Sequence, residues 1–392
     1  MEISENVRAI KPSATLAVAA RARELKAQGR DILDLSAGEP DLLTPGFVRR
    51  GGIESIEKGL TKYTAVAGIP QLRQAIARSI EKRTGVKVTA EQIVVSNGAK
   101  HALFNACFTL FGPGDKVLIP RPYWTSYPDI VKLARAEPVF VDGDPERGYK
   151  LTPGDLARAG AGAKGILLNS PSNPSGAVYT SAELEAVVRW AAAQGLWIIS
   201  DEIYSTLCYN GPRAASVYDF DPALHARMVL IDGASKSFAM TGWRIGFSCC
   251  ALPLAKELAA VQSHMTSNPA APSQYAALTA YNAEGDDAEE LRRMTEMFHR
   301  RRDLIVSLFR EELPELGFVY PDGAFYLFFQ VPRGEGGSMA WCNKLLEEKG
   351  VALVPGDAFG MDDYVRLSFA ASDEALRDGV RRIAALVPAA RA

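Results

Sequence analysis

Cysteine, histidine and long apolar runs are scarce in this chain of 392 residues. The five cysteines are odd in number and lack C-x-x-C spacing, which argues against a disulfide framework and favours buried, reduced thiols (Cys107, Cys208, Cys249, Cys250, Cys342). The four histidines show no metal-ligand spacing, so no metal is expected. No apolar run is long enough to span a bilayer, and residues 1–11 lack the apolar core of a secretory signal. We therefore expect a soluble, cytoplasmic protein.

Charge of either sign is not in excess, because 44 Lys and Arg residues against 46 Asp and Glu residues give a formal net charge of -2. No overall field would attract the chain to nucleic acid or to a membrane, so small molecules and other protein chains are the expected partners. With 47% hydrophobic residues the chain can bury a large core, and its length favours more than one domain.

Short apolar segments alternate with helical patterns through the middle of the chain. The predicted strands are residues 93–95, 117–119, 139–141, 166–168, 197–199, 228–231 and 245–249. This alternation is typical of an α/β protein, so we predict a three-layer sandwich around a mainly parallel sheet. A long charged helix over residues 289–312 then begins a compact α+β pattern. We expect residues 1–45 to form an arm and part of a small domain, residues 46–286 the large domain, and residues 287–392 the small carboxyl-terminal domain.

Ligands of such sheets bind beyond the carboxyl ends of the strands, where this sequence is rich in polar and aromatic residues. Residues 96–100 form a glycine turn that opens a helix, as anion sites do. Trp124 follows the next strand and could stack on a flat ring, and Asn173 follows the strand at 166–168. Asp201 and Tyr204 follow the strand at 197–199. Each of them alone also suits an ordinary structural role in packing, turns or caps.

A lysine among small residues, Lys236, lies eight positions before Arg244. A lysine amine forms an imine with an aldehyde, and an arginine offers a fork of donors to a phosphate, as pyridoxal 5'-phosphate requires. The spacing alone favours two ordinary surface charges, an interpretation that the small neighbouring residues and the surrounding strand pattern weaken.

The other candidate residues would supply the remaining contacts that this cofactor and its substrate require. A buried Asp201 would keep a ring nitrogen protonated, and Tyr204 and Asn173 could donate to the ring oxygen. The phosphate would be held by the glycine turn and neighbouring groups (Gly98, Ala99, Lys100, Ser235, Arg244). Arg366 could clamp a substrate α-carboxylate through two hydrogen bonds, and a freed Lys236 would be the base for the α-proton.

Taken in order, these motifs resemble the fold type I pyridoxal-phosphate aminotransferases of class I/II, and within them the bacterial aspartate aminotransferase branch. The resemblance covers nearly the whole chain, from Lys11-Pro12-Ser13-Ala14-Thr15 and Ala37-Gly38-Glu39-Pro40-Asp41 through Tyr63, residues 96–100, Pro122-Tyr123-Trp124, Asn173-Pro174-Ser175-Gly176, residues 200–204 and S-K-x7-R to Arg366.

The resemblance implies roles for these residues. Lys236 would hold the cofactor covalently, Asp201 would pair with the ring nitrogen, and Trp124 would stack on the ring. Gly38 would lie against the substrate α-carboxylate that Arg366 binds, with Trp124 and Asn173 also near the substrate. Tyr63 would reach the phosphate of the neighbouring subunit, which implies a homodimer.

The resemblance also indicates a substrate class. Lys100, Thr15 and residues 11–13 would receive a distal carboxylate, which favours ping-pong transfer between aspartate or glutamate and their 2-oxo acids, oxaloacetate and 2-oxoglutarate. Relatives usually have Phe-Asp where this chain has Leu42-Leu43, and Asn where it has Ser172. These departures leave an aromatic or prephenate aminotransferase open.

Other classes stay open on the residues alone. A pyridoxal-phosphate β-lyase would share Lys236, Asp201 and Arg244, and a non-catalytic binding protein could keep the fold. A dinucleotide-binding protein is disfavoured because Ser96-Asn97-Gly98-Ala99 replaces a G-x-G-x-x-G turn.

Overall fold

The computed structural model describes residues 3–8, 10, 14–332 and 334–387, with the backbone alone for residues 5, 6 and 14–16. Within these ranges, no helix is both long enough and apolar enough to cross a bilayer. Nor do three or more His, Cys, Asp or Glu side chains of the described segments gather in a way that could hold a metal ion.

The strands are short and mostly buried. In chain order they are β1 Leu33–Asp34, β2 Ile93–Asn97, β3 Lys116–Arg121, β4 Glu137–Asp142, β5 Ala163–Asn169, β6 Trp197–Asp201, β7 Met228–Gly233, β8 Ile245–Cys250, β9 Phe318–Val319, β10 Tyr326–Gln330, β11 Val351–Ala352, β12 Val354–Pro355 and β13 Tyr364–Ser368.

The helices fill most of the chain between them. They are α1 Glu5–Arg8, α2 Ala14–Ala27, α3 Gly46–Glu57, α4 Pro70–Thr84, α5 Ala99–Leu110, α6 Tyr127–Leu133, α7 Pro153–Ala159, α8 Ser181–Ala193, α9 Ala234–Ser237, α10 Leu252–Met265, α11 Ala271–Tyr281, α12 Gly285–Glu312, α13 Ser338–Lys349 and α14 Asp373–Ala384.

A seven-stranded sheet occupies the centre of the larger body, in the order β2-β8-β7-β6-β5-β3-β4. Every neighbouring pair in it is parallel except those of β8, which runs antiparallel to β2 and β7. The mainly parallel sheet predicted from the sequence is confirmed.

Helices cover both faces of this sheet because alternate strand residues point to opposite sides. Val95 of β2 packs in the core that includes Leu72 of α4 and Val187 of α8. Its neighbour Val94 packs in a second core with Leu103 of α5. The larger body is therefore a three-layer sandwich, as predicted.

A smaller antiparallel sheet, in the order β12-β13-β10-β9, packs with α12, α13 and α14 around a separate core rich in phenylalanine. The β1 strand pairs in parallel with β11. The segment around β1 is thus attached to the smaller body.

Candidate active site

A cavity of about 390 Å³ opens where β5, β6 and β7 end. Eleven residues singled out from the sequence line it: Gly38, Ala99, Lys100, Trp124, Asn173, Asp201, Tyr204, Ser235, Lys236, Arg244 and Arg366. Gly98 is in close contact with the guanidinium of Arg244, which lines the cavity. The structure thus gathers residues that are up to about 330 positions apart in sequence.

Lys236 reaches the cavity from α9, immediately after β7. Its Nζ donates a hydrogen bond of 2.5 Å to the carbonyl oxygen of Gly38. Burial lowers the pKa of Lys236 to about 8, against the opposing effect of the carboxylate of Glu39. A lysine with this pKa is partly neutral near pH 8, and a neutral amine is a nucleophile and a proton acceptor.

Asp201 ends β6 and is buried. The phenol of Tyr127 donates to its Oδ2 at 2.8 Å, and the backbone N–H of Ile203 donates to its Oδ1 at 3.3 Å. Burial raises the pKa of Asp201 to about 6, although these hydrogen bonds oppose the shift. A carboxylate in this setting suits a cationic group of a ligand, since pairing would offset the loss of hydration.

Sequence reasoning placed Tyr127 only at the start of a helix and missed its contact with Asp201. The available signal was its spacing, because Tyr127 lies three positions after Trp124. The two rings meet edge to face, with centroids 5.4 Å apart.

Arg366 lies in β13, opposite Phe328 of β10, and is buried. It donates from Nη1 to Oδ1 of Asn173 at 2.9 Å and from Nη2 to the carbonyl oxygen of Ser36 at 2.7 Å. Its Nε is buried and has no hydrogen-bond partner among the described residues. A buried guanidinium beside a cavity, with a donor to spare, suits a carboxylate ligand.

Tyr326 is a second lining residue that sequence reasoning missed, because residues 324–331 read only as a strand. Its ring lies 4.4 Å from the guanidinium carbon of Arg366, and its hydroxyl is 2.9 Å from that of Tyr204. The ring of Tyr326 thus packs against the guanidinium of Arg366, while its hydroxyl forms a hydrogen bond with that of Tyr204.

The glycine turn and Arg244 form the opposite wall. Gly98 caps α5 with φ of 84°, and a Cβ there would lie 2.4 Å from Nη2 of Arg244. Nη1 of Arg244 donates to the carbonyl oxygen of Thr241 at 3.0 Å. The close approach of backbone and guanidinium at a helix start gives an anion site on the cavity wall.

Lys100 lies between this wall and Trp124. Its Nζ is 4.9 Å from the centroid of the Trp124 ring, and burial together with the charge of Arg244 lowers its pKa. With Lys236 and Arg366, the cavity carries four basic side chains. The balance of charge at the site favours an anionic ligand with more than one acidic group.

One predicted site residue lies away from the cavity, and two other parts of the prediction fall outside the described residues. Tyr63 is 93% exposed and does not line the cavity of the single chain. Residues 11–13 and the Thr15 side chain lie outside the described part of the structure.

Comparisons with known proteins agree over the full length. The sequence model of the family described as Aminotransferase class I and II matches residues 30–383. An aspartate aminotransferase of Geobacillus stearothermophilus is 42% identical over 392 residues, covering 98% of both chains. An aspartate/prephenate aminotransferase of Cereibacter sphaeroides is 42% identical over 395 residues, also covering 98% of both.

A solved structure shares the fold. The aspartate aminotransferase from Thermus thermophilus with maleate aligns with a TM-score of 0.94 and 38% sequence identity, over 99% of this chain and 100% of that one.

Proposed function

The chain belongs to the class I and II aminotransferases, and on that premise we propose that it moves an amino group between aspartate or glutamate and a 2-oxo acid, with pyridoxal 5'-phosphate as its cofactor. The observation that carries the proposal is the cavity itself, which Lys236, Asp201, Arg244 and Arg366 line together and in which the charge of Lys236 acts on Asp201. The reaction would follow a ping-pong course, in which the donor product leaves before the acceptor binds.

The described residues fit this cofactor. When bound, pyridoxal phosphate supplies an aldehyde that condenses with amines and a ring that withdraws electrons from the substrate. Asp201, oriented by Tyr127, would hold the proton on the ring nitrogen, and Trp124 would cover a ring face. Gly98 supports the fit, because a Cβ there would lie 2.4 Å from Nη2 of Arg244 and would displace the guanidinium that we propose binds the phosphate.

The remaining cofactor contacts would come from residues that line the same cavity. Asn173 and Tyr204 would donate to the ring oxygen, while Ala99, Lys100 and Ser235 would bind the phosphate with Arg244.

Arg366 and Lys236 would have different roles toward the substrate, one in binding and the other in proton transfer. Arg366, with its buried and unpaired Nε, would bind the α-carboxylate, close to Gly38. Lys236 Nζ would remove the proton from the substrate Cα, which suits its lowered pKa.

The choice of a dicarboxylate rests on Lys100 and on the relatives. A second cation at the far side of Trp124 offers a partner for the distal carboxylate, which Thr15 and residues 11–13 would complete. The Thermus relative was solved with maleate, a dicarboxylate, which supports this choice.

A homodimer would complete the site. Because Tyr63 is exposed on the single chain, we propose that it contacts the cofactor phosphate of a second copy. Five buried thiols suit a reducing compartment, and we propose the cytoplasm.

An aromatic or prephenate acceptor is the second candidate. One relative named aspartate/prephenate aminotransferase is as similar, at 42% identity, as one named for aspartate alone.

The deciding experiment is a set of half-reactions of the purified protein with single amino acids, followed by the cofactor's absorption spectrum. We expect rapid spectral change with aspartate and glutamate, and little with phenylalanine. Lys100→Gln should slow the reaction with the dicarboxylates more than the reaction with phenylalanine, because only the dicarboxylates lose a partner for a distal carboxylate. Change with aromatic substrates alone would move the protein to the second candidate, and no cofactor spectrum after addition of pyridoxal phosphate would overturn the proposal.

A further inference from the structure

Two buried glutamines fasten the loop of residues 63–69, which begins with the exposed Tyr63. Gln262 in α10 and Gln274 in α11 are both 0% exposed, although glutamine is a residue that folded proteins usually leave at the surface. Both donate hydrogen bonds to this loop. The two side chains thus approach one exposed segment from beneath.

Gln262 uses its whole hydrogen-bonding capacity. Its Nε2 donates to the carbonyl oxygens of Val66 and Val95, both at 2.8 Å. Its Oε1 accepts from Oγ of Ser96 at 2.5 Å and from Nδ2 of Asn105 at 3.1 Å. A carboxamide has two donors and two acceptor positions, so every one is occupied and its orientation is fixed.

Gln274 fixes the two ends of the same loop. Its Nε2 donates to Oγ1 of Thr64 at 3.1 Å and to the carbonyl oxygen of Pro269 at 2.8 Å. Its Oε1 accepts from the backbone N–H of Ile69 at 2.7 Å. Thr64 directly follows Tyr63, so this contact lies beside the exposed ring.

The loop is also pressed against β2. The backbone N–H of Val95 donates to the carbonyl oxygen of Ala67 at 3.0 Å. At Gly68, with φ of 97°, a Cβ would lie 2.7 Å from the Val95 side chain. An exposed tyrosine is therefore carried on a backbone that is held at several points.

We propose that Gln262 and Gln274 are positioning residues that hold Tyr63 ready to bind the cofactor phosphate of a second copy of this chain. The inference rests on the proposed sharing of Tyr63 across a homodimer. Ordering a free loop on binding costs conformational free energy for each residue fixed, and a loop already held at its ends avoids that cost. The glutamines would thus act on cofactor affinity through Tyr63.

A purely structural role makes a different prediction. If the glutamines served only to satisfy buried backbone groups, their loss would lower the free energy of unfolding, and its effect on cofactor affinity would be independent of Tyr63. A double-mutant cycle separates the two cases, because residues that act through one another give non-additive effects.

The experiment measures the dissociation constant of pyridoxal phosphate by fluorescence titration of the full-length protein. Tyr63→Phe should weaken binding about tenfold, as expected for one hydrogen bond to a charged group. Gln274→Met should weaken it by a similar factor, and the double variant should bind no more weakly than Tyr63→Phe alone. Losses that multiply in the double variant would overturn the inference.

A milder variant covers the case in which Gln274→Met does not fold. Thr64→Val keeps the size of the side chain and removes the hydroxyl that accepts from Gln274 and donates to the carbonyl oxygen of Ala65 at 3.2 Å. It should weaken binding in wild type and not in the Tyr63→Phe background. Thr61→Val, at an exposed position of the same segment, is the matched control and should leave affinity unchanged. If Thr64→Val behaves like Thr61→Val, the inference fails.

Amide hydrogen exchange provides a readout without cofactor. We expect faster exchange at residues 64–69 in Thr64→Val than in wild type, with β7 unchanged. If Tyr63→Phe itself leaves cofactor affinity unchanged, the proposed sharing of the site fails, and the inference falls with it. If Tyr63→Phe does weaken cofactor binding but the losses multiply in the double variant, the sharing of Tyr63 stands and only the inference about the glutamines is overturned.

Discussion

At the scale of single residues, burial shifts the pKa values of two groups of the site in opposite directions. Lys236 is held by burial at a pKa of about 8, and Asp201 at about 6. Near neutral pH, part of the protein therefore carries a neutral amine beside an ionised carboxylate. Such opposite shifts within one cavity are typical of proton-transfer sites.

Replacement of Lys236 tests its chemical role. Lys236→Ala removes the proposed nucleophile and base together, so amino transfer should fall by about 10⁴-fold or more, while the circular dichroism spectrum stays that of a folded protein. Lys256→Ala changes an exposed lysine of α10 and should retain full activity. Substantial turnover by Lys236→Ala would contradict the assignment.

Asp201 also predicts a pH dependence of stability in the cofactor-free protein. Its pKa is about 6 in the folded chain and ordinarily 3.8, so the folded state keeps a proton that the unfolded state releases between these values. The resulting stabilisation is complete below about pH 4 and is lost as the pH rises through about 6. The two pKa values differ by an amount worth about 3 kcal/mol.

Urea denaturation at several pH values measures this effect. The unfolding free energy of wild type minus that of Asp201→Asn should fall by up to about 3 kcal/mol between pH 4 and 7. Asp232, a second buried carboxyl with a pKa of about 6, is present in both proteins and largely cancels. The same difference for Asp286→Asn, an exposed position, should stay constant. A constant difference for Asp201→Asn would contradict the raised pKa.

At the scale of elements, the turn between β2 and α5 is built around one glycine. Gly98→Ala should cost stability because a side chain at φ of 84° is strained, and should also weaken cofactor binding about tenfold because its Cβ would displace Arg244. Gly114→Ala is the matched control, with φ of 86° and no atom within 4 Å of the added Cβ. It should cost stability alone, and equal cofactor affinity in both variants would contradict the proposed anion site.

Strands and polar residues after them could be predicted from sequence because their signals are local. An apolar run bounded by a turn marks each strand of the large sheet, and residues such as Asp201 and Lys236 directly follow one. The helices α3 and α11 were not predicted. In α3, Gly51 and Gly52 read as breakers, yet a Cβ on Gly51 would lie 2.1 Å from Oγ1 of Thr279 in α11. These glycines permit close helix packing, which no local pattern reveals.

Tyr127, Tyr326 and Gln262 could not be assigned for a related reason. Their contacts with Asp201, Arg366 and Val66 join segments that are far apart in sequence. The role of an aromatic or amide side chain depends on which distant group it meets, and that follows only from the packed fold.

At the scale of the whole molecule, residues 35–44 connect the two bodies beside the cavity. On the side of the smaller body, Arg301 of α12 binds both carboxylate oxygens of Asp41, at 2.7 and 2.9 Å. On the side of the larger body, Thr44 donates to the carbonyl oxygen of Ala239 at 2.6 Å. Gly38 lies three residues before Asp41, so its place beside Lys236 depends on this attachment.

Loss of the Asp41 contact should therefore destabilise the protein. Asp41→Asn removes the carboxylate that binds the buried guanidinium of Arg301 through two hydrogen bonds, and leaves only the more distant, exposed Asp373 at 3.7 Å from Nε. We expect a loss of about 2 kcal/mol in urea denaturation. Asp31→Asn is the matched control, because Asp31 pairs with Arg382 but its side chain is 83% exposed. It should change stability by less than about 0.5 kcal/mol, and equal losses would contradict the importance of the Asp41 contact.

Because β8 runs antiparallel to β7, the segment between them is attached to the large sheet at both of its ends. Gly233 and Gly246 are register partners at the ends of β7 and β8, so the segment that carries Lys236 and Arg244 leaves the large sheet and rejoins it at one place. Arg366 belongs to the smaller sheet. A hinge rotation of one body against the other would therefore move Lys236 and Arg244 as one rigid unit while it changes their spacing to Arg366. On the proposed roles, a substrate bound by Arg366 could then exchange through such a rotation while Lys236 and Arg244 keep their spacing around the cofactor.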